Sequence, residues 1–297
     1  MRTLLFSLIF YSCINANPKG GSVKTGTVLF EETAKTFSIK TEGRSIIEWK
    51  QFSIDEGETT RFIQSSSDMA VLNRVKGGDI SRILGRLESN GHVYLINPQG
   101  IYIGASGFIQ TAGFFASTWD VMDIDFLDGR PLIFKGDSQT AVVNYGKILT
   151  KDGPIGLIGY QVENHGTLDG GEVFLKVGEE RVLIRSTEKV SEETENVYTY
   201  AIRHDGNIRA SRAVITAENG RVVIGGNCQA NEVIVHGHEV RLSPTSSLEG
   251  DVVIAKAQTE IAALGALHSE GGLIEISGST FAFHPTSIST TSRDGKV

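Results

Sequence analysis

Between residues 72 and 118 the chain makes three short apolar runs, and each one stops at a tight corner. His92-Val93-Tyr94-Leu95-Ile96 ends at Asn97-Pro98-Gln99-Gly100, Ile101-Tyr102-Ile103 ends at Gly104-Ala105-Ser106-Gly107, and Phe108-Ile109-Gln110-Thr111 runs up to Gly113. Such runs are too short for helices, and their spacing is too regular for a loop. Strands this short with corners this tight describe a chain that coils, not one that folds back in hairpins.

The habit repeats. Asn144-Tyr145-Gly146-Lys147-Ile148 and Asn164-His165-Gly166-Thr167-Leu168 are near-copies, and Asp205-Gly206-Asn207-Ile208 echoes them. A second motif sets Gly before alternating aliphatics, at Gly171-Glu172-Val173-Phe174-Leu175, Gly220-Arg221-Val222-Val223-Ile224, Gly250-Asp251-Val252-Val253-Ile254 and Gly272-Leu273-Ile274-Glu275-Ile276. Intervals of about 20 to 30 residues with β content point to an all-β solenoid, whereas a propeller blade needs about 40. Asn144, Gly146, Asn164 and Gly166 are then corner residues, and the two asparagines are candidates for a stacked side-chain ladder. Gly is abundant at 34 residues and Pro scarce at 6, which suits many tight corners in a ladder that Pro would interrupt.

From residue 20 to 62 the apolar positions alternate, which predicts short strands bounded by turns. Trp49 and Phe52 are expected to plug the open end of the core, because a stacked β structure needs a cap on its first rung. The texture changes at 118–130, where Trp119-Asp120-Val121-Met122-Asp123-Ile124-Asp125-Phe126-Leu127-Asp128-Gly129 predicts one or two helical turns outside the coil, ending at Gly129. The polar stretch 186–199 breaks the period and is expected to be an exposed insertion. Residues 289–297 are polar and offer no cap, so the coil is expected to end open.

The first residues pair a basic start, Arg2, with the apolar run Leu4-Leu5-Phe6-Ser7-Leu8-Ile9-Phe10-Tyr11. That run is too short to span a bilayer, and 1–16 reads as a signal peptide cleaved after Ala16, leaving 17–297 as one β-helix domain. A lipidated Cys13 is the competing reading. Cleavage after Ala16 leaves Cys228 as the remaining cysteine, hence no internal disulfide in an oxidising compartment. The net charge of −7 argues against nucleic acid as a partner.

Catalytic readings find little support. The acidic group Asp120, Asp123, Asp125 and Asp128 lacks calcium-loop spacing and reads as a solvated or capping face. His236 and His238 alternate on a strand and so share a face, too few for a metal site. Cys228 reads as a buried small hydrophobe. No catalytic residue, cofactor or metal is expected.

Three stretches carry a family resemblance. Ile47-Glu48-Trp49-Lys50-Gln51-Phe52-Ser53-Ile54 comes first. Asn73-Arg74-Val75, Gly77-Gly78-Asp79, Ser81 and Ile83-Leu84-Gly85-Arg86 follow, and then Asn97-Pro98-Gln99-Gly100, continued by Ala116-Ser117-Thr118 and Asp125-Phe126-Leu127. In this order they resemble the secretion domain of two-partner-secretion exoproteins of the filamentous-haemagglutinin type. The match is strongest over 23–175, with further β-helix turns over 201–288, and Gln99 stands where the family signature has Asn. The resemblance implies a right-handed parallel β-helix with an N-terminal cap and excursions. It also implies a secreted or surface exoprotein, of adhesin or haemagglutinin type. Such a protein is exported by the general secretion machinery to the periplasm and recognised there by the periplasmic domains of an outer-membrane β-barrel transporter. Asn73, Arg74, Asn97, Pro98, Gln99 and Gly100 are the candidate secretion motif, shaping the fold, touching the transporter, or both. A host cell surface or glycans are candidate outer ligands. The alternative is a carbohydrate-binding or polysaccharide-cleaving β-helix.

Overall fold

The computed structural model describes residues 17–178, 181–183, 201–270, 272–283 and 288–291. Residues 1–16, read from sequence as a signal peptide, and 186–199, read as an exposed insertion, lie outside the described residues. Past the cap, the described residues form a β-solenoid interrupted by one excursion, as the corner spacing predicts. One rung consists of β4 (Ala70–Val75), β5 (Ser81–Ile83) and β6 (Arg86–Ser89). The next consists of β7 (His92–Ile96), β8 (Ile101–Ile103) and β9 (Phe108–Thr111), and each strand pairs in parallel with its counterpart above. Strand β10 (Gly113–Ser117) opens the rung after that, against β7. Among the described residues, 26 strands join into this one sheet.

The core is built by vertical repetition. Val71, Val93, Phe114, Ile155, Val173, Ala213, Val233 and Val253 are successive ladder partners along one wall, and every one is buried. Period-two alternation puts these side chains inside, and parallel register stacks like on like. Later strands are longer than the sequence reading expected. Asn207–Ile224 and Asn227–Leu242 keep pairing around their corners without a break in strand character.

The first rung has no neighbour above it, and a hairpin replaces one. Strand β1 (Ser22–Glu32) lies antiparallel on β2 (Thr36–Trp49). Strand β2 itself turns a corner: Thr36 to Thr41 pair with β3 (Thr59–Gln64) and Ser45 to Trp49 pair with β4. Under the hairpin sits an aromatic stack. Phe30 and Phe37 are parallel at 5.8 Å, Trp49 meets both edge-on, Phe52 meets Trp49 at 5.6 Å, and Phe62 lies parallel to Phe52 at 6.5 Å. Trp49 and Phe52 are each 1% exposed, the plug the sequence placed there.

A second apolar cluster lies outside the solenoid wall. Outward-facing Ile46, Leu72, Phe115 and Phe174 are covered by Trp119, Phe126 and Phe134 of the excursion. That excursion carries the short helix α1 (Asp123–Leu127). It returns through Ile133–Lys135, which pairs antiparallel with Arg181–Leu183. Glycine makes room for the stack beneath: Tyr94 and Phe115 lie parallel at 4.6 Å, and a Cβ at Gly156 would sit 2.3 Å from the Phe115 ring.

The repeated Asn-x-Gly corners form a continuous buried ladder. Asn144 Nδ2 donates to Asn164 Oδ1 at 2.8 Å, and Asn164 Nδ2 donates to His204 Nδ1 at 3.0 Å. Because Asn164 supplies the hydrogen, Nδ1 is the acceptor, and His204 Nε2 carries the proton it donates to the Asn227 carbonyl at 3.0 Å. The glycines two residues on are fixed by contact: a Cβ at Gly166 would lie 2.0 Å from the Gly146 carbonyl oxygen, and one at Gly206 2.1 Å from that of Gly166.

Burial holds the His204 pKa below its usual value, against the hydrogen bond to Asn227 and the nearby Asp205. The unfolded chain therefore binds a proton that the folded chain refuses. This contribution to stability is complete above about pH 6.5, the unfolded value, and is lost as pH falls, by at most about 1.4 kcal/mol per pH unit. Urea unfolding at pH 7.5 and 5.0 is expected to show a smaller acid loss in His204→Asn, which keeps a hydrogen-bonding amide at the corner, than in the wild type.

Candidate functional site

The motif residues gather where the second, third and fourth rungs meet the excursion. Asn97 is fully buried. Its Nδ2 donates to the Asp79 carbonyl and to Ser81 Oγ, both at 2.9 Å, while its Oδ1 accepts the Gln99 backbone N–H at 2.9 Å. The Gly100 N–H closes the turn on the Asn97 carbonyl at 3.0 Å, and Asn97 N–H reaches the Ser117 carbonyl. Pro at the second turn position presets φ, and Gly100, at φ +109°, takes a conformation that favours glycine. The amide thus satisfies the backbone of its own turn and of the rung above.

Pro98 and Gln99 form the exposed apex. The Pro98 carbonyl accepts from Ser138 Oγ at 2.6 Å and Thr140 Oγ1 at 2.9 Å, while Trp119 Nε1 donates to the Ser138 carbonyl at 3.0 Å. The chain leaving the excursion is therefore tied to this corner. Gln99 offers only its backbone N–H to Asn97, so a residue other than Asn is compatible with the turn.

Asn73 is also fully buried. Its Oδ1 accepts from Trp49 Nε1 at 2.9 Å, and its Nδ2 donates to the Tyr94 carbonyl at 3.2 Å. One side chain therefore couples the cap to two rungs.

Arg74 points outward from β4 into the excursion, its side chain only 5% exposed. Nε donates to Asp120 Oδ1 at 2.7 Å, Nη2 to the Val121 carbonyl at 2.7 Å, and Nη1 to Asp123. Burial opposes its charge, and bonds from Asp120 and Asp123 more than offset this, so its pKa lies above the ordinary value. Burial likewise opposes the charge on Asp123, but Lys24 and Arg74 hold its carboxyl below the usual range. Lys24 of β1 reaches that carboxylate at 3.0 Å. The acidic cluster is thus not simply a solvated or capping face. Asp120 and Asp123 partner a buried arginine, while Asp125 and Asp128 pair with Arg130.

The other sequence candidates lie far along the chain. Asn144, Gly146, Asn164 and Gly166 belong to the corner ladder. His236 is half-buried and His238 exposed, and the ladder breaks register between Gly237 and Glu239. Buried Gly237 stands between them, and the inward–outward alternation holds from Val235 through His238. Cys228 is buried, and burial pushes its thiol up to about 12. The sequence reading missed the partnership of Arg74 with Asp120 and Asp123; its only sequence signal was an arginine at an otherwise apolar strand position.

Comparison with known proteins gives a consistent set. The family described as the TPS secretion domain matches residues 14–293. A heme/hemopexin-binding protein of Haemophilus influenzae is 30% identical over 221 residues, 70% of this chain and 24% of that protein. A second protein of that description is 40% identical over 98 residues, 32% of this chain and 11% of its own length. The chain thus spans a quarter or less of the length of these curated relatives. The HMW1 secretion domain from Haemophilus influenzae superposes with a TM-score of 0.59 at 22% identity, over 90% of this chain and all of that one. The filamentous hemagglutinin secretion domain gives 0.54 at 14%, over 93% and 99%. At these identities the two structures show a shared fold.

Asn97→Ala strands two acceptors and a turn N–H, and is expected to cost about 2 to 4 kcal/mol in chemical denaturation, whereas Gln99→Ala stays within about 0.5 kcal/mol. Arg74→Lys keeps the charge but loses the fork that reaches three acceptors. Amide hydrogen exchange over 119–127 is expected to accelerate in that variant while the ladder at 144–164 keeps its protection.

Proposed function

This chain belongs to the TPS secretion domain family, and on that premise we propose that it delivers its exoprotein to a partner outer-membrane β-barrel transporter. Residues 1–16 direct export to the periplasm, the transporter's periplasmic domains engage the chain there, and the protein completes its fold at the cell surface. The module acts by binding and folding, not by catalysis. The observation that carries the reading is the family match across 14–293.

The geometry supports a mode of contact. Strand β1 pairs with β2 on one side only among the described residues, and it is exposed along most of its length, with Leu29 55% accessible. An open edge of this kind accepts a further strand by main-chain hydrogen bonding. Asn73 and Asn97, being buried, then act on secretion through the fold: without them the first rungs are less stable and hold less firmly against sliding back. Pro98 and Gln99 are the motif side chains free to touch a partner in the folded domain. For the whole exoprotein, the relatives described as heme/hemopexin-binding favour capture of heme or hemopexin over simple adhesion.

The test is co-expression with and without the cognate transporter, with the protein measured in the medium. Transporter-dependent release is expected, reduced several-fold or more in Asn73→Ala and Asn97→Ala, in line with their loss of stability. Release that ignores the transporter overturns the reading. Release lowered by Gln99→Ala without loss of stability assigns the apex to direct contact.

A further inference from the structure

The free side of β1 is suited to further pairing along only part of its length. Its ladder with β2 shifts register between Val23 and Thr25 and again between Thr25 and Thr27, then runs regularly from Thr27 with Glu42 to Glu32 with Phe37. Bulges blunt an edge against added strands. They occupy the first half of β1, where Lys24 is also engaged by Asp123, and leave 27–32 regular.

The hairpin turn fixes which main-chain groups point outward. Thr33 N–H donates to the Thr36 carbonyl at 2.8 Å, so these two form a hydrogen-bonded pair. Bonded and non-bonded pairs alternate along an antiparallel ladder. Glu31, Leu29 and Thr27 therefore bond inward to Ser38, Lys40 and Glu42. The N–H and C=O groups of Val28, Phe30 and Glu32 point to the free side. Side chains follow their own alternation: Val28 and Phe30 are half-buried against the core, while Thr27, Leu29 and Glu31 face solvent.

We propose that this edge pairs with a second copy of itself, β1 against β1 in antiparallel, joining two molecules cap to cap about a twofold axis at Leu29. In this register Val28 lies opposite Phe30 of the second copy, and Phe30 opposite its Val28. Their main-chain groups are the ones left free, so each such pairing exchanges both hydrogen bonds. Apolar side chains meet on the core face and extend the cover over Phe30. Leu29, 55% accessible in the single chain, meets its own copy at a non-bonded position, where opposing side chains come closest. Thr27 meets Glu31, hydroxyl against carboxylate, and no charge faces its like. Neighbouring registers lose this fit. A shift one way sets Val28 against Glu32 and Leu29 against Glu31; a shift the other way sets Phe30 against Gly26, within the bulged half. It is this self-complementarity that commits the edge to a second copy, and a twofold contact of this kind closes on itself. The same edge is the one offered to the transporter above, but self-pairing rests on the residues of β1 alone and belongs to the folded, released protein.

The experiment is sedimentation of the purified full chain over a concentration series, with no transporter present. A monomer–dimer equilibrium is expected, with a Kd on the order of tens of micromolar, weak because one strand pair buries little area. Leu29→Glu sets two carboxylates face to face on the axis and should raise that Kd about tenfold or more, with the melting curve unchanged at this exposed site. Leu29→Cys tests the register, because Cα atoms of a non-bonded pair stand about 4.5 Å apart, within disulfide reach. With oxidised glutathione as oxidant it should give a covalent dimer. Glu31→Cys, on the same face but off the axis, should not. A chain that stays monomeric throughout, a dimer indifferent to Leu29→Glu, or equal cross-linking of Glu31→Cys and Leu29→Cys overturns the proposal.

Discussion

Each rung of a parallel solenoid takes its hydrogen bonds from the rung before, so stability is inherited along the chain and the first rung has nothing to inherit from. In this protein the missing predecessor is supplied by the antiparallel β1–β2 hairpin and by five aromatic rings stacked beneath it. Trp49 is central to this arrangement. Its ring faces the cap, and its indole N–H reaches down to Asn73, whose amide continues to the Tyr94 carbonyl. The cap is bonded into two rungs at once, so loosening it exposes the inner faces below in sequence.

Asparagine solves the corner problem in two different ways. At 144 and 164 the amides stack on one another, each holding its own turn and its neighbour in register. At 97 the amide instead reaches the Asp79 carbonyl and the Ser81 hydroxyl, and the turn apex anchors a chain returning from outside the coil. Arg74 does related work on the same wall, where it is the ladder partner of Ile96. Exposed pairs such as Arg61 with Glu88 each add about 0 to 1 kcal/mol. A guanidinium taken out of water is another matter: it has to be fully partnered, and losing either carboxylate leaves a buried charge only partly compensated. The excursion is held where it is because Arg74 cannot do without it.

Much of this was legible in the sequence. Corner spacing and the Asn-x-Gly copies gave the solenoid, Trp49 and Phe52 gave the plug, and the Asp-rich stretch ending at Gly129 gave the helical excursion. What stayed hidden needed a third dimension. Local alternation cannot show that β1 runs antiparallel, since either pairing direction buries the same residues. Nor can it show that strands after 207 pass around corners unbroken. Asp120 and Asp123 looked like solvent-facing acids because their partner lies more than forty residues earlier on another rung. His204 was the third member of the corner ladder and was missed for a different reason: it stands where the other copies have Asn, and only its imidazole geometry shows that it fills the same role.

Cys228 has a consequence for the life history of the chain. Inside its rung the thiol is buried and held protonated, so oxidants and thiol-exchange enzymes meet neither access nor thiolate. Whenever the rung opens, both conditions lapse together, and an ordinary reactive cysteine appears. Chemical fate at this position therefore records conformational history: a molecule that lingers unfolded in an oxidising space acquires a covalent mark, and one that coils promptly leaves unmarked.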